Sequence, residues 1–558
     1  MDEKRLLLAL ALSVIVFVVW QFIFGEQPAE QKPAQQQQQE TQTREQPVSP
    51  SPYEKEAEKP TVAEKSDLSA AAGVQGPQKE ARTITVDTPF FRAEISEKGA
   101  VFNSVMLKNY KEKASEDAAP KELLAADGSI KSISLGFEGK SMPGLEEAVF
   151  STEPQVDTIT VTDSARTVSF YWDSANGITI EKAFTFYPDA YVVGLVVTLK
   201  NKSTHTIQDH LTLALRWPAS KDKRMYGFEG PSALIGEEVE EIEIKEIAEK
   251  NSYNGNLKWM AVQDRYFMSS LIPDTVEETG MKLFLPNSDI VEAKYVQAEK
   301  VIRPGTQHHY DFKLFFGPKS IKILKGVGHS LDLAVNFGWF TILAKPCLWL
   351  MNALYGFIPN YGVAIIILTL LIKIVLWPLG AKSYKSISEM KKIQPLMKEI
   401  REKYKDDKKK MNTEVMALYR TYKINPLGGC LPMVVQIPVF FALYRMLYSA
   451  IELRHAPFFW WIHDLSAPDR LFNFGFKIPF MEPPYGIPVL TIVMGATMLL
   501  QQKMSPPMGD PTQAKMMMLM PVVFTVIFIN FSSGLVLYWL VNNVLSIAQQ
   551  YYIQKKYA

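Results

Sequence analysis

One lysine, Lys373, stands inside an otherwise apolar run, LTLLIKIVLWPLG at 368–380. A charge buried at that depth of a membrane-spanning helix costs a few kcal/mol on insertion scales. No acidic residue stands near it in the run to offset that cost. Thr369, Gln436, Tyr538, Asn542 and Asn543 are further polar groups set in apolar stretches. Such groups face a bundle interior or a wet cavity. Together with Lys373 they could line one hydrophilic pocket, in which a fixed positive charge holds water and attracts carboxylates. Two plainer readings compete. The amides and hydroxyls could simply bond neighbouring helices, and Lys373, about 9 Å along the helix from Leu379, could snorkel to the headgroups.

Electrostatic guidance is the only chemistry this set suggests. No GxxxxGK[ST], GxSxG, HExxH or CxxC motif occurs, and the two cysteines, Cys347 and Cys430, lie in or beside apolar segments. The reading is therefore of no enzyme, no cofactor, no bound metal and no disulfide framework. His308 and His309 adjoin in a turn-like stretch, RPGTQHHYD, and read as solvated loop histidines.

The elements that position these groups follow from composition. The 558 residues average out as soluble, with 47% hydrophobic residues, a net charge of +1 and a mean hydropathy of −0.03, but the parts differ sharply. LLLALALSVIVFVVWQFIF (6–24) follows Lys4 and Arg5 and precedes no small-x-small cleavage site, so 1–25 reads as a retained signal-anchor helix. Residues 26–80, rich in Gln, Glu, Pro and Ala, cannot bury enough apolar surface to order themselves and read as a disordered linker. From 81 to 325, segments such as RTITVD, SISLGF, RTVSFYW and LTLALRW alternate apolar with polar, the pattern of a large antiparallel β-sandwich. Residues 326–356 read as an interfacial amphipathic helix and a lead-in. Five apolar segments follow within 357–553: 361–379, 431–448, 487–500 and a long run, 516–553, broken at NFSSG. With the anchor they make six transmembrane helices, and 554–558 is a tail.

Loop charge orients them. Residues 381–426 carry 13 Lys/Arg against 6 Asp/Glu, whereas 452–485 carries only Arg454, Arg470 and Lys477 as Lys/Arg. By the positive-inside rule the first loop is cytoplasmic and the second is outside. Both termini are then cytoplasmic, and in a Gram-negative cell the β-domain is periplasmic and the helices lie in the inner membrane. The basic loop is expected to be a helical hairpin. Ile387, Met390, Ile393 (or Gln394), Met397, Ile400 and Tyr404 form one apolar stripe, Met411, Val415, Leu418 and Tyr422 the other, and Pro395 kinks the first helix. Lys408, Lys409 and Lys410, with Lys555 and Lys556 of the tail, form either a plain solvated face or a docking surface for ribosomal RNA or lipid headgroups. A methionine cluster, Met494 to Met520, suits either lipid-facing packing or adaptable apolar contacts.

At this point whole stretches, NPLGGCLPMVVQIPVFFALYRML, ELRHAPFFWWIHDLSAPD, QQKMSP and SSGLVLYWLVNN, closely resemble the YidC family of membrane protein insertases, over 337–552. The resemblance implies a five-helix insertase core with a hydrophilic groove open to the cytoplasm and to lipid. One basic residue sits in that groove five positions before a proline, as Lys373 does before Pro378. The family usually has Arg there, so Lys keeps the charge and loses the bidentate fork. Thr369, Phe440, Leu443 and Tyr538 match groove or substrate-contact positions, beside Gln436 and Asn542 of the pocket reading. The implied partners are nascent membrane proteins, the ribosome, the Sec translocon and the lipid bilayer, with a monomer as the working unit. A secondary transporter of a small solute and a membrane-anchored envelope scaffold are the alternatives. The sequence contains no internal repeat of the kind transporters carry.

Overall fold

The computed structural model describes residues 81–557 apart from 126–127, 140, 220–227, 275–276, 288, 423, 425–430 and 505–510. The expected anchor (1–25) and linker (26–80) lie outside the described residues.

Alternation becomes strand wherever it was read. RTITVD forms the strand Thr83–Asp87, RTVSFYW the strand Arg166–Asp173 and LTLALRW the strand Leu211–Pro218. Among the described residues, one sheet of this region has five strands and another thirteen. They face each other through aromatic rings. Phe102 of the smaller sheet lies 5.2 Å from Phe184 and 5.1 Å from Phe316, and Phe91 lies 6.3 Å from Phe186. All five are fully buried. Pairing is antiparallel almost throughout; Thr83–Asp87 with Thr158–Thr160 is a parallel exception. The long strand Ser252–Gln263 changes partner midway. Residues 252–256 pair with 278–282, and residues 257–263 pair with 230–235. Gly255 sits at the change with φ +147°, where a Cβ would meet Ile235 Cγ2 at 2.8 Å, so no other residue fits. His308 and His309, read as loop residues, instead lie on the strand Gln307–Pro318, with His309 Nδ1 2.9 Å from Thr198 Oγ1.

The strand Ile178–Phe186 carries an unusual residue in its inward row. Ile178, Ile180, Phe184 and Phe186 face the core, and so does Lys182, with no exposed surface. Its Nζ donates to the carbonyls of Ala100 (2.5 Å) and Ile133 (2.9 Å), with Gly99 O at 3.4 Å. Ala100 and Ile133 both hold left-handed backbone, φ 47° and 63°. That conformation is a genuine outlier for β-branched Ile133. The strained residues are thus the ones whose carbonyls converge on the ammonium. Burial pushes the Lys182 ammonium down to about 7, while the carbonyl acceptors favour the charged form.

Beyond the sheets the chain is helical: α1 (Ile321–Val327), α2 (Thr341–Phe357), α3 (Tyr361–Val375), α4 (Trp377–Lys392), α5 (Gln394–Lys403), α6 (Lys408–Thr421), α7 (Leu431–Ser449), α8 (Val489–Met504), α9 (Pro511–Phe528) and α10 (Ser533–Tyr557). The stretch 326–356 is not one amphipathic helix. Gly328, at φ 83°, caps the first short helix, His329 and Ser330 follow with φ 52° and 57°, and two 3-10 turns precede α2. Among the described residues no single helix is long and apolar enough to cross a membrane; only α3 and α4 pass together, bent by 66°. The span read at 361–379 therefore breaks at Leu376. Pro378 has no amide to offer Ile374 O and its ring crowds that carbonyl, which favours a break here. Helices α3, α7, α8 and α9 have 15, 19, 16 and 18 residues, or about 22–29 Å at 1.5 Å per residue, each short of a core about 30 Å thick. The expected break at NFSSG separates α9 from α10. The bundle joins the β-domain through two arginines. Arg265 Nε donates to Tyr448 O (2.7 Å), its guanidinium stacked 3.5 Å from the Tyr448 ring, and Arg454 Nη2 donates to Lys111 O (2.6 Å).

Candidate functional site: a cleft around Lys373

Asn360 caps α3, its Oδ1 accepting from the Val363 amide at 3.1 Å. Because the helix stops at Val375, Lys373 falls in its last turn, where the partial negative charge of the helix end favours a cation. Lys373 is half-buried, and its Nζ turns into the bundle and donates to Ser546 Oγ at 2.6 Å. That hydroxyl donates on to Asn542 O at 2.7 Å. The side chain points at α10, away from the snorkelling geometry.

Around it lies a small cleft of about 40 Å³, lined by Thr369, Lys373, Tyr384, Gln436, Tyr538, Asn542 and Gln549 among apolar neighbours. Among the described residues no acidic side chain lines it. Of the residues selected from sequence, Thr369, Gln436, Tyr538 and Asn542 share this cleft with Lys373. Thr369 spends its hydroxyl on Ile365 O (2.6 Å). Phe440 and Leu443 do not line it. Phe440 packs edge-on against Trp539 at 4.5 Å, and Leu443 is buried in the helical core. Val439, one residue earlier, faces the cleft instead.

Three residues of this neighbourhood were not selected from sequence: Ser546, Gln549 and Tyr384. The signal for the first two was present. Tyr538, Asn542, Ser546 and Gln549 recur at four-, four- and three-residue spacing, which is one helix face. Gln549 Nε2 donates to Trp377 O at 3.1 Å, beside the break. Gly380 makes that approach possible: a Cβ there would stand 2.8 Å from Gln549 Nε2.

The basic hairpin is built from α4, α5 and α6, with the first two separated just before Pro395, as expected. Its seam joins Met390, Ile393, Met397 and Ile424 to Val415, Leu418 and Tyr419. Tyr419, whose hydroxyl donates to Met397 Sδ at 3.6 Å, takes the place expected of Tyr422, which is 52% exposed. Asp407 caps α6 by accepting from the Lys410 amide at 2.9 Å. Lys409, Lys410, Lys555 and Lys556 are exposed; the side chain of Lys408 lies outside the described residues. Among the described residues no group of three or more His, Cys, Asp or Glu could hold a metal ion.

Fold and cleft define a two-part protein: a large β-domain joined to an apolar helical bundle whose cleft, among the described residues, is lined by one lysine and no acid. The chain belongs to the YidC family. Residues 353–558 match the family model described as 60Kd inner membrane protein, and residues 83–350 match that described as YidC periplasmic domain. The chain is 40% identical over 563 residues to a membrane protein insertase YidC of Syntrophus aciditrophicus, covering 99% of this chain and 100% of the relative. It is 38% identical over 566 residues to that of Syntrophobacter fumaroxidans, covering 99% and 100%. A solved structure of an active YidC insertase with its first transmembrane domain resolved is similar at 19% identity and a TM-score of 0.37, over 85% of this chain and 93% of that one.

Proposed function

We propose that this protein inserts nascent membrane proteins into the inner membrane, and that the Lys373 cleft is where the polar part of a substrate begins its crossing. The observation that carries the reading is an ammonium held inside an apolar bundle by the Ser546 hydroxyl, in a cleft with no acid among the described residues that line it. Such a group attracts carboxylates of a translocating segment and keeps a wet path beside lipid, lowering the cost of moving polar groups through hydrocarbon. Burial of the substrate's own apolar span supplies the driving force, with the membrane potential adding about 2.3 kcal/mol per charge per 100 mV.

The finer arrangement belongs to the same proposal. Six crossings, including the anchor at 1–25, place both termini in the cytoplasm and the β-domain in the periplasm. The short helices α3, α7, α8 and α9 thin the bilayer around the cleft. Phe440 and Leu443 shape the bundle wall behind it. The chain works as a monomer, alone or beside the Sec translocon. Transport of a small solute and a pure scaffold role remain the rivals, and neither accounts for the family. The test is insertion of a two-span protein into vesicles that contain only this chain.

The hairpin and tail, with Lys408, Lys409, Lys410, Lys555 and Lys556, are proposed to dock the ribosome. Phosphate contacts release counterions, so binding should weaken steeply with salt. Neutralising Lys408, Lys409 and Lys410 together should reduce co-pelleting with ribosomes carrying a nascent membrane protein and lower the salt slope by about three, one for each phosphate contact. Unchanged pelleting, with weakened binding to anionic vesicles alone, would assign the hairpin to lipid.

A further inference from the structure

The segment between α7 and α8 presents large aromatics to the outside in a way that ordinary loops do not. Trp460, Phe472 and Phe480 are 83%, 67% and 82% exposed. All three hold left-handed backbone, at φ 56°, 63° and 63°. Bulky side chains rarely adopt that conformation, and it persists only where the surroundings over-determine it.

The surroundings here do so. Asp464 Oδ1 accepts from the His455 amide (3.0 Å), the Ser466 amide (2.8 Å) and the Ser466 hydroxyl (2.7 Å). Buried Asp469 accepts from the Trp461 indole and from the Leu490 amide at the start of α8. Trp461 in turn stacks on Trp460, with ring centres 5.8 Å apart. Arg470 donates to Pro484 O and to Ile529 O, both at 2.8 Å, and Asn530 Nδ2 holds Phe480 O at 3.0 Å. The loop is thus a frame tied to the ends of α8 and α9, and three of its four left-handed positions among the described residues, all but the partly buried His455, turn rings away from the protein. Phe459 and Phe476, at 50% and 65% exposed, extend the same set.

Two observations name the occupant. Arg454, at the start of the segment, bonds the β-domain, so the loop lies at that end of the bundle. The helices tied to the frame carry exposed apolar side chains of their own, Ile492 and Val493 on α8 and Val526 and Ile527 on α9. Trp at the end of an apolar belt suits the interface of a bilayer, and exposed Phe beside it suits insertion into the boundary between headgroups and acyl chains.

We propose that residues 459–480 form a preformed aromatic anchor inserted in the outer leaflet, which fixes the outer ends of α8 and α9 relative to the lipid surface. The proposal rests on these helices lying in a bilayer, and the experiment separates the two. Cys347 and Cys430 are replaced by Ser in the full chain. A fluorophore is then attached at a new cysteine replacing Asn473 or Lys477, with every aromatic kept, and the protein is reconstituted in phosphatidylcholine vesicles containing lipids with a nitroxide high on the acyl chain. Both labels should be quenched several-fold more than one at exposed Asn176 of the β-domain. Substituting Trp460, Phe472 and Phe480 together by Ser, which leaves Asp464, Asp469 and Arg470 intact, should remove most of that excess. Labels quenched only by aqueous iodide, labels shielded from both quenchers as under a protein partner, or quenching unchanged in the triple variant would each overturn the anchor. A label at Val526 that reports acyl depth in those cases confines the failure to the anchor; one in water removes the membrane placement as well.

Discussion

Lys373→Glu should reduce insertion of substrates with acidic translocated segments at least roughly tenfold, while Lys373→Arg should insert them at close to the original rate. Two unit charges about 4 Å apart interact by about 4 kcal/mol at an effective dielectric of 20. Reversing the sign turns an attraction into a repulsion, and even a fraction of that energy exceeds the 1.4 kcal/mol worth a factor of ten. The arrangement around Lys373 explains why Arg should be tolerated. Among the described residues the ammonium bonds the Ser546 hydroxyl, and no carboxylate lines the cleft. It therefore acts as a point charge, for which the planar fork of Arg is no obstacle. Lys373→Ala should fall between the two, with its loss concentrated on the most acidic substrates. Insertion yields measured across substrates of graded loop charge check this. Normal insertion of all of them by both the Ala and Glu variants would show the charge to be idle.

Lys182→Met should destabilise the β-domain by about 2–5 kcal/mol. Met replaces the only donor reaching Ala100 O and Ile133 O from the strand Ile178–Phe186, and each orphaned buried carbonyl costs about 1–3 kcal/mol. For a domain of this size that corresponds to a fall in Tm of about 5–15 °C. The ammonium also predicts a pH dependence. In the folded chain it is held down to about 7, whereas in the unfolded chain it titrates at about 10.4. Between those values the unfolded state binds the extra proton, so wild-type stability should rise with pH, and the carbonyl acceptors, which favour the charged form, narrow the window from below. The Met variant should lack this rise. Thermal unfolding of the full chain in detergent at pH 7 and pH 9.5 checks both statements; equal midpoints and equal pH responses in the two proteins would contradict them.

The Lys182 case also marks where sequence reading stopped short. ITIEKAFTF alternates strictly, and its inward row contains the lysine in plain view. Strand periodicity names the row, but it cannot say that Ala100 and Ile133, distant in sequence, turn their carbonyls toward it. The same limit applies to the cleft. The polar residues of the spans were legible as a set because each is conspicuous against apolar neighbours. Tyr384 was not, because it lies beyond the break, in what read as a basic loop. The break moved the boundary: α4 starts at Trp377 and carries Gly380 and Tyr384 to the cleft wall. The error over Tyr422 was rotational, since stripes of three- and four-residue spacing leave neighbouring positions on one face open until the partner helix is placed. The kink read at Pro395 was a dependable feature, because the missing amide and the ring clash act locally, whereas the break before Pro378 was missed.

Insertion by this chain through its own cleft can be tested by reconstitution. The purified full-length protein is placed in anionic vesicles, and a two-span protein with an acidic translocated loop is synthesised in their presence. The account predicts that the loop becomes protected from added protease in vesicles containing the chain, remains accessible in empty vesicles, and loses most of its protection with Lys373→Glu. Protection equal in empty vesicles and in vesicles carrying the wild-type chain or the Glu variant would contradict it.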